Sequence, residues 1–353
     1  MRFTIIMFVV ITLVVAAVPN LVFVVSRSVA WLRGRQLGYE WFGYATLAMS
    51  ALWVMIFVYG MVWGRFECKV TRVTYRNEAV PAAFEGYTIA QISDLHLDGW
   101  KGHEKLLKER VATVNGIDAD LICFTGDLVS LNRAELHGFE DILGGLKAKD
   151  GVVAIMGNHD YLPYDGLPPL RSPRSKAKEI ELLQRDITDR LGWRLLLNEN
   201  VIIRRGNDSI AVIGCENQSM GVHSIIRRGN LKKAVMGTEG MFRILLTHDP
   251  THWRGEVLGK TDIQLTLSGH THGMQVKLFG LSPGPLIYSE YEGLYSEGGQ
   301  SLYVNVGLGA TMPMRIGATP EITVIRLGKQ LTNQQNNQQT NKPTKQQNNK
   351  ITK

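Results

Sequence analysis

Five short apolar runs in the body of this chain each end on a side chain that can bind a metal. YTIAQI (87–92) is followed by Asp94 and His96, and LICFT (121–125) by Gly126 and Asp127. VVAIM (152–156) leads into Gly157-Asn158-His159-Asp160, RILLT (243–247) into His248, and IQLTL (263–267) into Gly269-His270-Thr271-His272. Apolar runs of this length between glycine and polar residues read as buried strands. In an open α/β sheet the carboxyl ends of the strands form the edge where ligands bind. A lone histidine there is ordinarily a hydrogen-bonded loop residue. Five coincident strand ends demand a fold that brings them together.

The remaining pattern agrees. Further strands are expected over 209–214, 302–306 and 322–327. Helices are expected over 103–116, with Leu106, Leu107, Val111 and Val114 on one face, and over 134–147 and 177–191. Alternating strands and helices predict an α/β architecture. Cys68, Cys123 and Cys215 form no CxxC pair and read as buried or idle thiols.

The ends of the chain differ from its body. Thr4 to Val25 and Tyr44 to Trp63 are nearly continuous apolar runs of bilayer-crossing length. Two such runs and no convincing cleavage site favour a helical hairpin anchor over a signal peptide. Trp31, Trp41, Trp53 and Trp63 suit membrane interfaces or helix packing. Basic residues flank both spans, Arg27, Arg33 and Arg35 on one side and Arg65, Lys69, Arg72 and Arg76 on the other, so the positive-inside rule names no face. The organisation expected is an anchor and linker over 1–76, a folded body over 77–328 and a disordered Gln/Asn/Lys-rich tail over 329–353. The net charge of +7 comes from the ends, +6 in residues 1–76 and +5 in the tail, which leaves −4 in the body. A mildly acidic body argues against a nucleic-acid partner.

The residue types at the strand ends set the chemistry. Asp and His supply oxygen and nitrogen donors suited to Mn, Fe or Zn, and no cysteine joins them. Asp94 and His96, like His270 and His272, are two apart, so each pair faces one way on extended backbone. Gly126, Gly157, Gly269 and Gly273 permit sharp turns and close approach. Seven donors exceed one tetrahedral site but suit two ions sharing a carboxylate, an arrangement that hydrolyses phosphate esters in line.

Asp94-Leu95-His96, Gly126-Asp127, Gly157-Asn158-His159-Asp160, a lone His248 and Gly269-His270-Thr271-His272, in this order, resemble the calcineurin-like metallophosphoesterase superfamily. The resemblance runs from about Glu85 to Leu327. With the apolar N-terminus it points to the membrane-associated bacterial branch, among whose relatives are UDP-diacylglucosamine pyrophosphohydrolases. It implies a two-sheet sandwich flanked by helices behind a transmembrane hairpin, in a multi-pass bacterial cell-membrane protein. Asp94, His96 and His272 would hold one metal, Asn158, His248 and His270 the other, and Asp127 would bridge them. The ions implied are divalent, Mn ahead of Fe or Zn, with a hydroxide between them as nucleophile. His159 would stabilise the transition state or protonate the leaving oxygen, and Asp160 would orient it. The substrate implied is a phosphodiester, phosphomonoester or pyrophosphate, lipid-linked or of the envelope; the rival is a noncatalytic metal-binding scaffold. Ser130 stands where the protein phosphatases carry a second Asp, which argues against that activity, and Met274 where many relatives carry Gly, which predicts a reshaped pocket. The stretch 161–178, with Arg171, Arg174, Lys176 and Lys178, is a candidate cap, and Arg315 is expected near the site. Nothing in the pattern bears on oligomeric state.

Overall fold

The computed structural model describes residues 2–161, 173–221 and 226–330. Among them the strands are β1 (Lys69–Asn77), β2 (Thr88–Ile92), β3 (Leu121–Phe124), β4 (Val152–Ala154), β5 (Arg194–Leu195) and β6 (Glu199–Arg205). They continue as β7 (Asp208–Gly214), β8 (Phe242–Leu246), β9 (Leu265–Ser268), β10 (Gly293–Glu297), β11 (Gln300–Val304) and β12 (Glu321–Lys329). The helices are α1 (Arg2–Leu32), α2 (Glu40–Val62), α3 (Glu104–Asn115), α4 (Glu140–Leu143), α5 (Pro173–Arg185) and α6 (Leu231–Ala234).

The strands form two six-stranded sheets, ordered β1-β12-β2-β3-β4-β5 and β10-β11-β9-β8-β7-β6. Within each, the central strands β2-β3-β4 and β7-β8-β9 run parallel, so their carboxyl ends share one edge. The sheets face each other across a layer of apolar side chains. Ile89, Leu121, Val153 and Ile155 belong to it from the first sheet, and Ile210, Val212, Ile244, Leu246 and Leu265 from the second. Each is at most a few per cent exposed, and burying one such side chain stabilises the fold by roughly 1.5–3 kcal/mol. Outside the first sheet, Leu107, Val111 and Val114 of α3 lie with Leu143, Leu183 and Ile187 in a second core. Outside the other sheet, Trp253, Val257 and Leu231 cover Ala211, Ile213 and Leu245. The result is the two-sheet α/β sandwich with flanking helices.

Several expectations change in detail. The helix expected over 134–147 is broken into a turn at Arg133–Leu136 and the single turn of α4. Gly138 interrupts it with φ +91°, and Gly144 and Gly145 close it. The helix expected over 177–191 begins earlier, at Pro173, and ends in a π turn at Asp186–Arg190. β1, β6 and β10 are edge strands; β1 and β10 break their apolar residues with polar or charged ones, and β6 carries only the short run Val201-Ile202-Ile203. β1 pairs with β12 over its full length, so the first sheet begins at Lys69, inside the segment read as anchor and linker. At the other end Lys329 closes β12, while 331–353 lie outside the described residues. So do 162–172, which hold most of the stretch read as a cap.

Ahead of the sheets, α1 and α2 form an antiparallel pair, both long and apolar enough to cross a bilayer. Leu13, Leu21, Leu47 and Met55 are exposed along it, as are Trp31, Trp41 and Trp63. Trp53 is buried and donates from its indole nitrogen to Thr12 Oγ1 at 3.1 Å. The pair meets the body at one end, where Trp53 and Phe57 cluster with Met314 and Ile316.

Candidate metal centre

The five strand ends converge. Asp94 and His96 follow β2, Asp127 follows β3, Asn158 and His159 follow β4, His248 follows β8, and His270 and His272 follow β9. Ligand atoms of Asp94, His96 and His272 all lie within 4.8 Å of one another, as do those of Asp127, His248 and His270. His159 falls in a third such group with His96 and Asp127. His270 Nδ1 is 2.9 Å from Asn158 Oδ1, which brings Asn158 to the same place.

Convergence does not come from extended backbone, as the spacing of the His and Asp pairs suggested. Asp94, His96, Asp127, His270 and His272 all have left-handed φ, between +46° and +73°. Non-glycine residues rarely take this conformation, and it persists where the surroundings over-determine it, commonly at functional sites. Close approach also restricts the neighbours. A Cβ on Gly157 would collide with Asp127 Oδ1, and one on Gly269 with Ser93 Oγ and Asp94 Oδ2.

The rings are held from outside the cluster. His96 Nδ1 lies 3.2 Å from Ser130 Oγ, whose hydroxyl donates to Asp98 Oδ1. Ser130 therefore accepts from His96 Nδ1–H, and the Nε2 lone pair points inward. His248 donates from Nδ1 to the Thr125 carbonyl at 2.7 Å. Its Nε2 is buried with no hydrogen-bond partner among the described residues, 3.1 Å from Asp127 Oδ2. His270 turns Nε2 outward to the Tyr288 hydroxyl at 3.2 Å. His272 differs: its Nδ1 lies 3.1 Å from Arg315 Nη2, so a guanidinium fixes its ring. His159 donates from Nδ1 to the Ser130 carbonyl at 2.7 Å, and its ring borders the cleft.

Among the described residues, Asp160 hydrogen-bonds backbone amides rather than the His159 ring. Its carboxylate accepts from the amides of Asp127, Gly157, Leu128 and Val129 at 2.8–3.1 Å. It thus shapes the loop that carries Asp127 and the Ser130 carbonyl, to which the His159 ring donates.

The donor set fits divalent cations. Asp94, His96, Asp127 and His248 are at most 1% exposed, and two carboxylates buried so deeply need positive charge. Burial raises the Asp94 carboxyl above its ordinary range. Burial alone would also raise Asp127 and lower His248. Instead their mutual attraction holds Asp127 well below the usual carboxylate range and lifts His248 to about 10. Burial lowers His96 to about 3, which keeps its ring neutral. His96 Nε2 and His272 Nε2 face each other at 3.1 Å. Two nitrogens bound to one ion at about 2.1 Å stand roughly 3.0–3.4 Å apart. The buried His248 Nε2 beside Asp127 Oδ2, the facing imidazoles and the absence of thiolate from the cluster all suit an ion with oxygen and nitrogen ligands.

The calcineurin-like phosphoesterase family matches residues 87–274, more than half of the chain and all five strand ends. The chain belongs to that family. Three relatives place this phosphoesterase more closely. It is 31% identical over 270 residues to the uncharacterized metallophosphoesterase YkuE of Bacillus subtilis, covering 73% of this chain and 85% of that one. It is 30% identical over 291 residues to a transmembrane protein with metallophosphoesterase domain from Danio rerio, covering 80% of this chain and 62% of the relative. It is 26% identical over 304 residues to the UDP-2,3-diacylglucosamine pyrophosphatase LpxG of Chlamydia muridarum, covering 73% and 88%. The phosphoesterase is a phosphoric ester hydrolase by family.

Its metal cluster opens on a cleft of about 360 Å³ lined by Asp127, Asn158, His159, His270, His272, Met274, Gln275, Ile287, Tyr288, Thr311 and Met312. Met274 has φ +62° and its side chain lines this cleft. Arg315 is near the site but 1% exposed. It donates to the carbonyls of Val306, Gly309 and Ala318, behind His272 rather than facing substrate. Ser130, Asp98, Tyr288 and Gln275 were not singled out as site residues by sequence. Gln275 joins the metal loop to 311–314 by donating to the Met312 and Met314 carbonyls and accepting from Thr311. Only Ser130 carried a signal, its place in the Asp127 motif.

Proposed function

We propose that this phosphoesterase is a dinuclear, metal-dependent hydrolase of phosphodiesters, phosphomonoesters or pyrophosphates, anchored in the cell membrane by α1 and α2 as a two-span hairpin. The observation that carries the reading is the convergence of Asp94, His96, His272 and Asp127, His248, His270 in two triads, linked by a third group of His96, Asp127 and His159. Asp94, His96 and His272 would hold one ion and Asn158, His248 and His270 the other, with Asp127 available to both. Two divalent ions held there, Mn²⁺ first among them, would supply Lewis acidity to the phosphoryl group and lower the pKa of a bound water. His159, on the cleft side of the cluster and oriented by the Ser130 carbonyl, delivers a proton to the leaving oxygen. The membrane anchor and the likeness to a UDP-2,3-diacylglucosamine pyrophosphatase favour a lipid-linked substrate.

The test uses the full-length chain in detergent. Metal analysis should return two equivalents, with Mn²⁺-dependent turnover of bis(p-nitrophenyl) phosphate or p-nitrophenyl phosphate. His159→Ala should lower kcat by about 10²–10⁴-fold with metal content unchanged. Two bound ions without turnover on either ester would favour the scaffold reading, and a single equivalent would refute the dinuclear one.

A further inference from the structure

We infer that the turn at 278–281 and the segment ending at Ile287 enter the same lipid leaflet as the end of the hairpin, so that the catalytic cleft opens at headgroup depth. This rests on the reading of α1 and α2 as bilayer spans.

The first observation is where the hairpin docks. The Arg315 amide donates to the Gly60 carbonyl at 3.0 Å, and a Cβ on Gly64 would collide with the Arg315 carbonyl. α2 therefore meets the body backbone to backbone. Helical rise puts Gly60 about 30 Å along α2 from Glu40, close to the thickness of a hydrocarbon core. Trp53 lies about 10 Å short of Gly60 on the same count. Yet Trp53 and Phe57 share a cluster with Met314 and Ile316, and Val276 and Leu278 pack against it. Parts of the body that touch Trp53 and Phe57 sit at or below the level where α2 leaves the hydrocarbon.

The second observation is what the neighbouring segment displays. Leu278 and Leu281 exchange backbone hydrogen bonds around Phe279 and Gly280, with φ +51° and +82°, a tight two-residue turn. Its first central position is a phenylalanine, which left-handed backbone disfavours, and this ring is fully exposed at 102% of its reference area. Leu281 is 77% exposed and Leu286 88%. Such a group of large apolar side chains is out of place in water and marks a contact surface. Its continuity with the hairpin cluster through Val276 and Leu278 identifies the partner as lipid. Ile287 joins this apolar segment to the cleft, because it is 51% exposed and also lines the cleft wall beside Tyr288.

The experiment uses the full-length protein in phospholipid vesicles. In a Cys68→Ser background, with Cys123 and Cys215 buried, an environment-sensitive fluorophore is attached at Phe279→Cys, at Leu47→Cys in α2, or at Glu239→Cys before β8. Acyl-chain doxyl lipids should quench the labels at 279 and 47 and spare the one at 239. Quenching at 47 without quenching at 279 overturns this inference alone. No quenching at 47 overturns the spanning reading, and this inference with it. A second variant reads function. Phe279→Asp suits the left-handed turn better than phenylalanine and preserves the fold. It should leave turnover of soluble bis(p-nitrophenyl) phosphate unchanged and slow a diacylglycerol p-nitrophenyl phosphodiester in vesicles by about tenfold. Equal slowing of both esters, or of neither, would also overturn it.

Discussion

Asp160→Asn separates two roles for the last residue of Gly157-Asn158-His159-Asp160. If Asp160 served only to orient His159, the variant would lose rate and little else. The structure gives the carboxylate four amide donors: Leu128 and Val129 on Oδ1, Asp127 and Gly157 on Oδ2. Asparagine keeps one oxygen and so can satisfy one pair. Its NH₂ group then faces the other two amides, which are buried and have lost their acceptor. An unsatisfied buried donor costs about 1–3 kcal/mol, so the pair costs roughly 4 kcal/mol. For a domain of this size each kcal/mol moves Tm by about 2–4 °C, which predicts a fall of about 8–16 °C. Metal affinity should fall too, since either pair lies in the loops that carry Asp127 and Asn158. The assay is thermal unfolding of wild type and variant in the same detergent, alongside a metal titration. A variant that melts within 2 °C of wild type and binds metal equally well, yet turns over slowly, would refute the clamp and restore the orienting role.

Three further outcomes follow from the same geometry. Ser130→Ala removes the acceptor for His96 Nδ1 and should weaken metal binding by about 10–100-fold by calorimetric titration; unchanged affinity would mean that the His96 ring is held by packing. Gly157→Ala drives a methyl into Asp127 Oδ1, so the purified variant should bind substoichiometric metal or fail to accumulate folded, whereas full occupancy would show that the loop can yield. Chelation should lower Tm and added Mn²⁺ restore it in a concentration-dependent way, because ions that bind only the folded site stabilise it by mass action; a Tm indifferent to chelator would speak against metal at the buried carboxylates.

Features that depend on short-range pattern were legible before any fold was known. Buried central strands read as apolar runs because both of their faces are covered, and β2, β3, β8 and β9 appear close to where those runs predicted. The donor residues were legible because each follows such a run, and the hairpin because bilayer-length apolar stretches are unmistakable. Edge strands were not legible. β1 intersperses Val70, Val73 and Tyr75 among charged and polar residues, and its pairing with β12, far along the chain, is what makes it a strand.

The tertiary structure decided what distant segments do to one another. Spacing brought Asp94 and His96 to one face on paper, but left-handed backbone, held by neighbouring loops, is what turns them together. Asp160 looked like a partner for its neighbour His159, but its four hydrogen bonds go to backbone amides, three of them more than thirty positions away in sequence. Ser130, Gln275 and Tyr288 matter through groups that no local pattern connects to them. The docking of α2 on Arg315 and Ile316 likewise depends on backbones meeting at Gly60 and Gly64. Local sequence sets propensity and burial pattern. Hydrogen-bond partners and close approach are properties of the folded chain, because they arise only once segments remote in sequence share the same few ångströms.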